Sequence, residues 1–205
     1  MRALPVAAEG WPFILGAAAF FLLFALLGVA WVALPALLLT AFVAWFFRDP
    51  ERDLPEGEDL LVSPADGKVI EVRPQSDGRV KIGIFLSIFD VHVNRLPLSG
   101  EITDVQYRRG SFLAAWKTIA SDENERCGIT IRHPRGAVRA VQVAGLVARR
   151  IICRVRVGEK VRRGERYGLI RFGSRLDTYL PPDVEPLVRV GERVRGGASV
   201  IGRWR

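Results

Sequence analysis

Three separated segments carry polar residues that a β-rich core does not need: Ser63-Pro64-Ala65-Asp66-Gly67-Lys68, Asp90-Val91-His92-Val93-Asn94-Arg95-Leu96-Pro97 and Arg171-Phe172-Gly173-Ser174-Arg175-Leu176-Asp177. Singly, each has an ordinary explanation. Asp66 before Gly67 is a common turn pair, His92 between apolar neighbours fits a strand histidine, and Gly173-Ser174 fits a second turn. Together they supply a carboxylate, an imidazole and a hydroxyl, the set that orients a base and activates an oxygen for attack on a carbonyl. An ordinary serine hydrolase is a poor fit. No Gly-x-Ser-x-Gly elbow occurs, and Ser174 follows a strand-like run in a β-rich context where a strand-to-helix turn would be expected. His133, before Pro134, reads as a structural turn residue. Cys127 and Cys153 have no metal-ligand spacing, so no metal site is expected.

The elements that must position these residues are short. Beyond Pro50 the chain alternates runs of valine, isoleucine and leucine with glycine, proline and charged pairs, the pattern of many strands joined by turns. Lys68 to Val72, Val80 to Ser87, Ile129 to Arg132, Val138 to Ala148 and Ile151 to Val157 are the clearest strands. Ser111 to Ala120, with Phe112, Leu113 and Trp116 within one turn, is the one helical pattern. Near the C-terminus Val157-Gly158-Glu159-Lys160-Val161-Arg162-Arg163-Gly164 is echoed by Val190-Gly191-Glu192-Arg193-Val194-Arg195-Gly196-Gly197. The pattern resembles the turns of biotinyl and lipoyl domains. The expected fold is mainly β, a flattened barrel or sandwich of hairpins, behind an N-terminal helical hairpin. Gly158 and Gly191 also suit any tight turn that needs a positive φ.

With 205 residues the chain has room for one modest domain and an appendage. A formal net charge of +8 points to nucleic acid or an anionic membrane, and the N-terminus favours the membrane. From Trp11 to Phe47 no residue is charged and only Thr40 is polar. This stretch exceeds the apolar region of a signal peptide, which is about 7–15 residues long, and no small-residue cleavage site follows it. As one helix it would overshoot a hydrocarbon core of about 30 Å. Gly28 and Pro35 offer breaks, giving a hairpin with arms Pro12 to Leu27 and Trp31 to Phe47 that is either transmembrane or re-entrant. Trp11, Trp45 and the Arg48 to Arg52 segment suit an interface. The expected organisation is an anchor over 1–50 and a β-rich domain over 51–205, on the cytoplasmic side of the cell membrane facing an anionic inner leaflet, without nucleic acid.

An Arg48-Asp49-Pro50 segment after a hydrophobic anchor, then Ser63-Pro64-Ala65-Asp66-Gly67, Asp90-Val91-His92-Val93-Asn94-Arg95, Asn124-Glu125-Arg126 and Phe172-Gly173-Ser174-Arg175, in this order, resembles the short form of the phosphatidylserine decarboxylase family. The resemblance runs from about Phe46 to the C-terminus. It departs in two places from longer family members: Arg95 stands where a second histidine of a His-x-x-His pair would be, and Arg175 follows the serine where threonine or serine would.

The resemblance implies a chain that cleaves itself between Gly173 and Ser174 and turns Ser174 into a covalent pyruvoyl group. His92 would be the base and later the proton donor, with Asp66 orienting it. Phosphatidylserine would be decarboxylated to phosphatidylethanolamine through a Schiff base, and the products of cleavage would stay partnered as a large and a small chain. Asn124 and Arg126 are candidates for the substrate phosphate, and Phe112 and Trp116 for lipid contact or core. A serine phospholipid with ether-linked chains would have the same head group, and a small basic domain of this kind suits a homodimer. The rival of another class is a membrane-tethered biotinyl- or lipoyl-like adaptor without activity. It would leave Asp66, His92 and Gly173-Ser174 without a purpose, and neither repeat presents a suitably flanked lysine for modification.

Overall fold

The computed structural model describes residues 6–116, 119–145, 150–171 and 173–205. The chain divides into two compact units, Met1–Glu51 and Arg52–Arg205. In the first, a 3₁₀ turn leads into α1 (Trp11–Leu26), and α2 (Ala30–Phe46) returns. The break falls at Gly28, whose φ of 72° is open to glycine at little cost. Pro35 is accommodated inside α2. The base of the hairpin closes through the Ala7 N–H donating to the Phe47 carbonyl at 2.8 Å and through stacked Phe13 and Phe47 rings. No residue of α1 is buried, and the 19-residue helical stretch Ala8–Leu26 is long and apolar enough to cross a membrane; α2 is shorter.

The second unit is built from β1 (Leu60–Val62), β2 (Gly67–Pro74), β3 (Val80–Leu86), β4 (Val93–Arg95), β5 (Gly100–Arg108), α3 (Ala120–Glu123), β6 (Arg126–His133), β7 (Gly136–Val143), β8 (Ile151–Cys153), β9 (Lys160–Val161), β10 (Arg166–Ile170), β11 (Ser174–Leu180), β12 (Val184–Pro186), β13 (Arg193–Val194) and β14 (Val200–Trp204). An antiparallel sheet runs β13-β2-β3-β11-β7-β6-β5-β9, and two small sheets, β1-β14-β12 and β4-β10-β8, accompany it. One core joins all three: Ile82, Ile84, Ile129 and Leu176 of the large sheet pack with Leu61, Ile201 and Tyr167 of the small ones. The large sheet ends in β13 and β9 and does not close, which corrects the barrel expectation.

Two other expectations change. Residues 111–116 are not helical, and among the described residues of this unit helix is confined to α3. The Ser111 N–H and C=O bond to Glu123 O and Glu125 N, and Leu113 bonds to the Asn124 side chain, so the polar groups a helix would use point elsewhere. The expected strand from Val138 ends at Val143, and its residues 146–148 lie outside the described residues, as do 117–118 of the expected helix.

The C-terminal repeat forms the two edges of the large sheet. Its first copy supplies β9, which pairs with β5; its second supplies β13, which pairs with β2. The glycines at both repeat positions have positive φ: 87° and 80° at Gly158 and Gly164, 100° and 79° at Gly191 and Gly197. Their partners are duplicated too. Gly158 N bonds to Ile102 O and Gly191 N to Val69 O, Gly164 N to Leu96 O and Gly197 N to Ser63 O, all at 2.8 Å. The bulge of β2 at Val69/Glu71 recurs in β5 at Ile102/Asp104. The second unit therefore contains two interlocked copies of one motif, each assembled from distant pieces of chain.

Candidate active site

Strand pairing lines up one row of residues across the large sheet: Arg193, Lys68, Phe85, Arg175, Val143, Arg126 and Arg108. Beyond this row lie Ser174, the 87–92 loop, the 109–125 connection and Gly145. The three segments singled out by chemistry thus converge on one end of the sheet.

Ser174 opens β11 opposite Leu86 and is fully buried. Its hydroxyl has no hydrogen-bond partner among the described residues. Burying such a group unpaired costs about 1–3 kcal/mol. Before it, Gly173 has φ +64°, in the left-handed region, and a Cβ there would meet nothing within 4 Å. The Gly173 carbonyl oxygen rests against Gly145 so closely that a Cβ on Gly145 would lie 1.9 Å from it. Gly145 is buried, and the same imagined Cβ would sit 3.1 Å from the Ala115 side chain. A glycine at 145 is thus what lets the 173–174 junction sit where it does. Sequence reasoning missed it, because nothing local distinguishes a glycine required by a neighbour distant along the chain.

His92 is buried, and its Nδ1 lies 2.9 Å from the Asp90 carbonyl oxygen. A carbonyl can only accept, so in the neutral ring Nδ1 carries the proton and Nε2 the basic lone pair. The loop that holds His92 is organised by Asp90, whose Oδ2 accepts from the Ser87 N–H at 2.9 Å and hydroxyl at 2.7 Å, while Arg193 pairs with Oδ1. This loop leaves β3 opposite Ser174 and returns at β4, which pairs with β10 just ahead of residues 171–174. Nδ1 is held by the Asp90 backbone. Asp66 Oδ2 accepts from Arg52 Nη2 and Oδ1 from the Gly196 N–H, both at 2.7 Å. The second of these has a counterpart in the other copy of the motif, where Ser99 Oγ accepts from the Arg163 N–H at 2.9 Å. Position 66 thus clamps a turn as position 99 does, and what it adds is a carboxylate held by arginine.

Arg95, where longer family members would carry histidine, is buried and donates from Nη1 to the Gly164 carbonyl at 3.1 Å. His133 stacks on Trp204 with ring centroids 5.7 Å apart, in keeping with a structural role.

Asn124 is not placed to hold a phosphate. It is buried, its Oδ1 accepts from Leu113 N at 2.8 Å, and its Nδ2 donates to the carbonyls of Leu113 and Ala144, both at 2.7 Å. It ties the 111–116 segment to the residue before Gly145. Arg126 commits Nη1 to the carbonyls of Ser121, at 3.1 Å, and Asp122. With Arg108 and Arg139 it borders a cavity of about 310 Å³ on the outer face of the sheet. Phe112 packs against Ala144 and Ile170, whereas Trp116 is exposed and meets the Phe85 ring edge-on at 5.8 Å.

Next to the serine, and on the opposite face of β11, Arg175 enters a buried ionic cluster with Asp177, Lys81 and Glu71. Gly83 makes the crossing possible: a Cβ there would lie 2.4 Å from Arg175 Nη2. Burial opposes the Arg175 charge, but Asp177 and Glu71 outweigh it and keep the guanidinium protonated above its ordinary value. Burial likewise would raise Glu71, yet the Arg175 hydrogen bond and the charges of Arg175, Lys81 and Arg73 hold its carboxyl below the usual value.

A serine hydroxyl that follows a left-handed glycine, on the strand end facing a histidine loop, can attack the preceding carbonyl within its own chain. Such an attack would make the chain self-processing rather than a hydrolase acting on a separate substrate. The chain belongs to the phosphatidylserine decarboxylase family, whose model matches residues 39–202. Among its relatives it is 47% identical over 211 residues to the phosphatidylserine decarboxylase proenzyme of Syntrophus aciditrophicus, covering 97% of each chain. It is 50% identical over 189 residues to that of Nitratidesulfovibrio vulgaris, covering 89% of this chain and 87% of the relative. To that of Symbiobacterium thermophilum it is 49% identical over 212 residues, covering 99% and 97%.

Proposed function

We propose that the chain cleaves itself between Gly173 and Ser174 and, using a pyruvoyl group derived from Ser174, decarboxylates phosphatidylserine to phosphatidylethanolamine at a membrane. The observation that carries this reading is the 173–174 junction: a left-handed glycine, its carbonyl seated on Gly145, followed by a buried hydroxyl without a hydrogen-bond partner among the described residues.

In the first step Ser174 Oγ attacks the Gly173 carbonyl carbon and gives its proton to His92 Nε2. The C–N bond then breaks, the Ser174 nitrogen takes a proton, and the glycyl group is left as an ester on Oγ. The shift is uphill for a relaxed amide. A base next removes the Ser174 Cα proton and the Cβ–O bond breaks. The Gly173 carboxylate leaves, and residue 174 becomes a dehydroalanine at a new N-terminus. Water converts that terminus to a pyruvoyl group with loss of ammonia.

The site fits such a group, since its three carbons come from Ser174 itself and a Cβ on Gly173 would meet nothing within 4 Å. When formed, the group supplies a carbonyl able to take up the electron pair released with carbon dioxide. The chain's own residues do the rest. His92 Nε2 returns a proton to the reacting carbon of the head group, and Asp90 keeps the ring in the tautomer that allows it. Asp66, held by Arg52, provides a fixed negative charge at the same end of the sheet. Arg126, through its uncommitted nitrogens, is the candidate for the lipid phosphate.

The test is the intact mass of the denatured protein beside a Ser174→Ala control. Two fragments that break after Gly173, the smaller with a blocked terminus, are expected from the parent and absent from the control. A single unmodified chain from a folded, membrane-bound preparation would remove the reading.

A further inference from the structure

We infer that the end of the catalytic unit bearing Ser174 is itself a membrane-docking surface, which lays the site on an anionic bilayer independently of the helical hairpin. This deepens the proposed function and rests on its lipid substrate.

The surface has two tiers. The lower is the residue row described above, in which five of seven members are cationic. Arg175 is neutralised by its buried cluster, Arg193 pairs with Asp90 and Arg126 binds backbone carbonyls. Lys68 and Arg108 are exposed and have no carboxylate partner among the described residues. The upper tier is formed by the loops beyond the row, and it is apolar where it meets solvent. Ile88 is 42% exposed, Phe89 64%, Trp116 60% and Ile119 50%. Four large apolar side chains exposed around one site are more than the scatter expected of a soluble surface.

Apolar tips above a cationic belt match the depth profile of a bilayer with anionic head groups. Side chains such as Phe, Ile and Trp enter the acyl boundary, and each Lys or Arg near the surface is attracted to the anionic head groups. A protein partner would need complementary apolar pockets and acidic groups; the bilayer offers both properties everywhere, and it holds the substrate. The arrangement also gives a direction. Ser174 follows directly on the belt, one residue before Arg175 and opposite Leu86, from which the 87–92 loop departs.

The experiment uses the full chain in lipid nanodiscs containing phosphatidylglycerol. Single cysteines replace Ile88 or Ile119 at this end and Val157 at the other, carry a bimane label, and are quenched by lipids with nitroxide on the acyl chain. Val157 is 63% exposed, and its neighbour Gly158 bonds to Ile102, about 20 Å along β5 from Arg108. The unsubstituted chain, with Cys127 and Cys153, sets the labelling background. The expected result is several-fold stronger quenching for Ile88→Cys and Ile119→Cys than for Val157→Cys, reduced when Lys68→Gln and Arg108→Gln are added. Equal quenching at the two ends would overturn the inference. So would thiol cross-linking between copies through residue 88, which would give the surface to a second copy of the chain. Cleavage after Gly173, measured by mass on the same samples, separates the two claims. Cleavage with equal quenching removes the docking surface alone, and strong quenching without cleavage removes the proposed function alone.

Discussion

At the residue scale the site depends on atoms that are absent as much as on those present. Gly145 has no side chain, and the oxygen of the bond to be cut lies where one would begin. Gly145→Ala must push the Gly173 carbonyl aside, and a shift of about 1 Å at a reacting centre can cost about a hundredfold in rate. Cleavage followed by intact mass should slow by that order, with the pH profile of the residual rate unchanged. His92→Ala removes the base instead. It should slow cleavage by about 10²–10⁴-fold and abolish the imidazole-dependent part of the pH profile, a distinction that stability measurements could not make. Ser174, Gly173 and His92 were legible in the sequence because their residue types are uncommon in a β core. Asn124 was misread because an amide beside an arginine looks like a phosphate ligand, and only the fold shows its atoms bound to Leu113 and Ala144. Gly145 and the orienting Asp90 carbonyl left no local signal at all.

At the element scale, β11 is held by charge as well as by its ladder. The Arg175, Asp177, Lys81 and Glu71 cluster joins β11 to β3 and β2 directly behind the serine. The Glu71 carboxyl is depressed in the folded state, so its contribution is fully present above the unfolded-state value and is lost as pH falls through the folded one. The melting temperature should therefore fall on acidification below about pH 4, the ordinary glutamate range, and Glu71→Gln should flatten that fall while lowering stability at neutral pH. Calorimetry across pH checks both. The strands themselves were readable from alternation and turn residues. Residues 111–116 of the expected helix are not helical because the apolar spacing serves two separate neighbours: Phe112 packs on Ala144 and Ile170, and Trp116 on Phe85. Spacing alone cannot tell one helical face from two unrelated contacts.

Across the whole molecule, the repeat seen near the C-terminus is half of a larger duplication. Equivalent positions in both halves are 33 residues apart, as 67 is from 100 and 158 from 191. Pro64 and Pro97, and Gly67 and Gly100, keep that correspondence, but Asp66 against Ser99 does not, which is why the sequence revealed only the better preserved half. Alanine at Gly158 or at Gly191, each with positive φ, should cost a similar 1–2 kcal/mol by thermal denaturation. Only the Gly191 change should also slow cleavage, because its hairpin carries the Gly196 N–H that clamps Asp66. The order of strands has a last consequence. Severing the chain after Gly173 would put β11 to β14 on the small fragment, and β11 lies between β3 and β7 in the middle of the large sheet, while β14 lies between β1 and β12. The fragment could not drift off without tearing the sheet down its centre. The cut would liberate an end and no piece, and the newborn terminus would stay docked with no covalent tether.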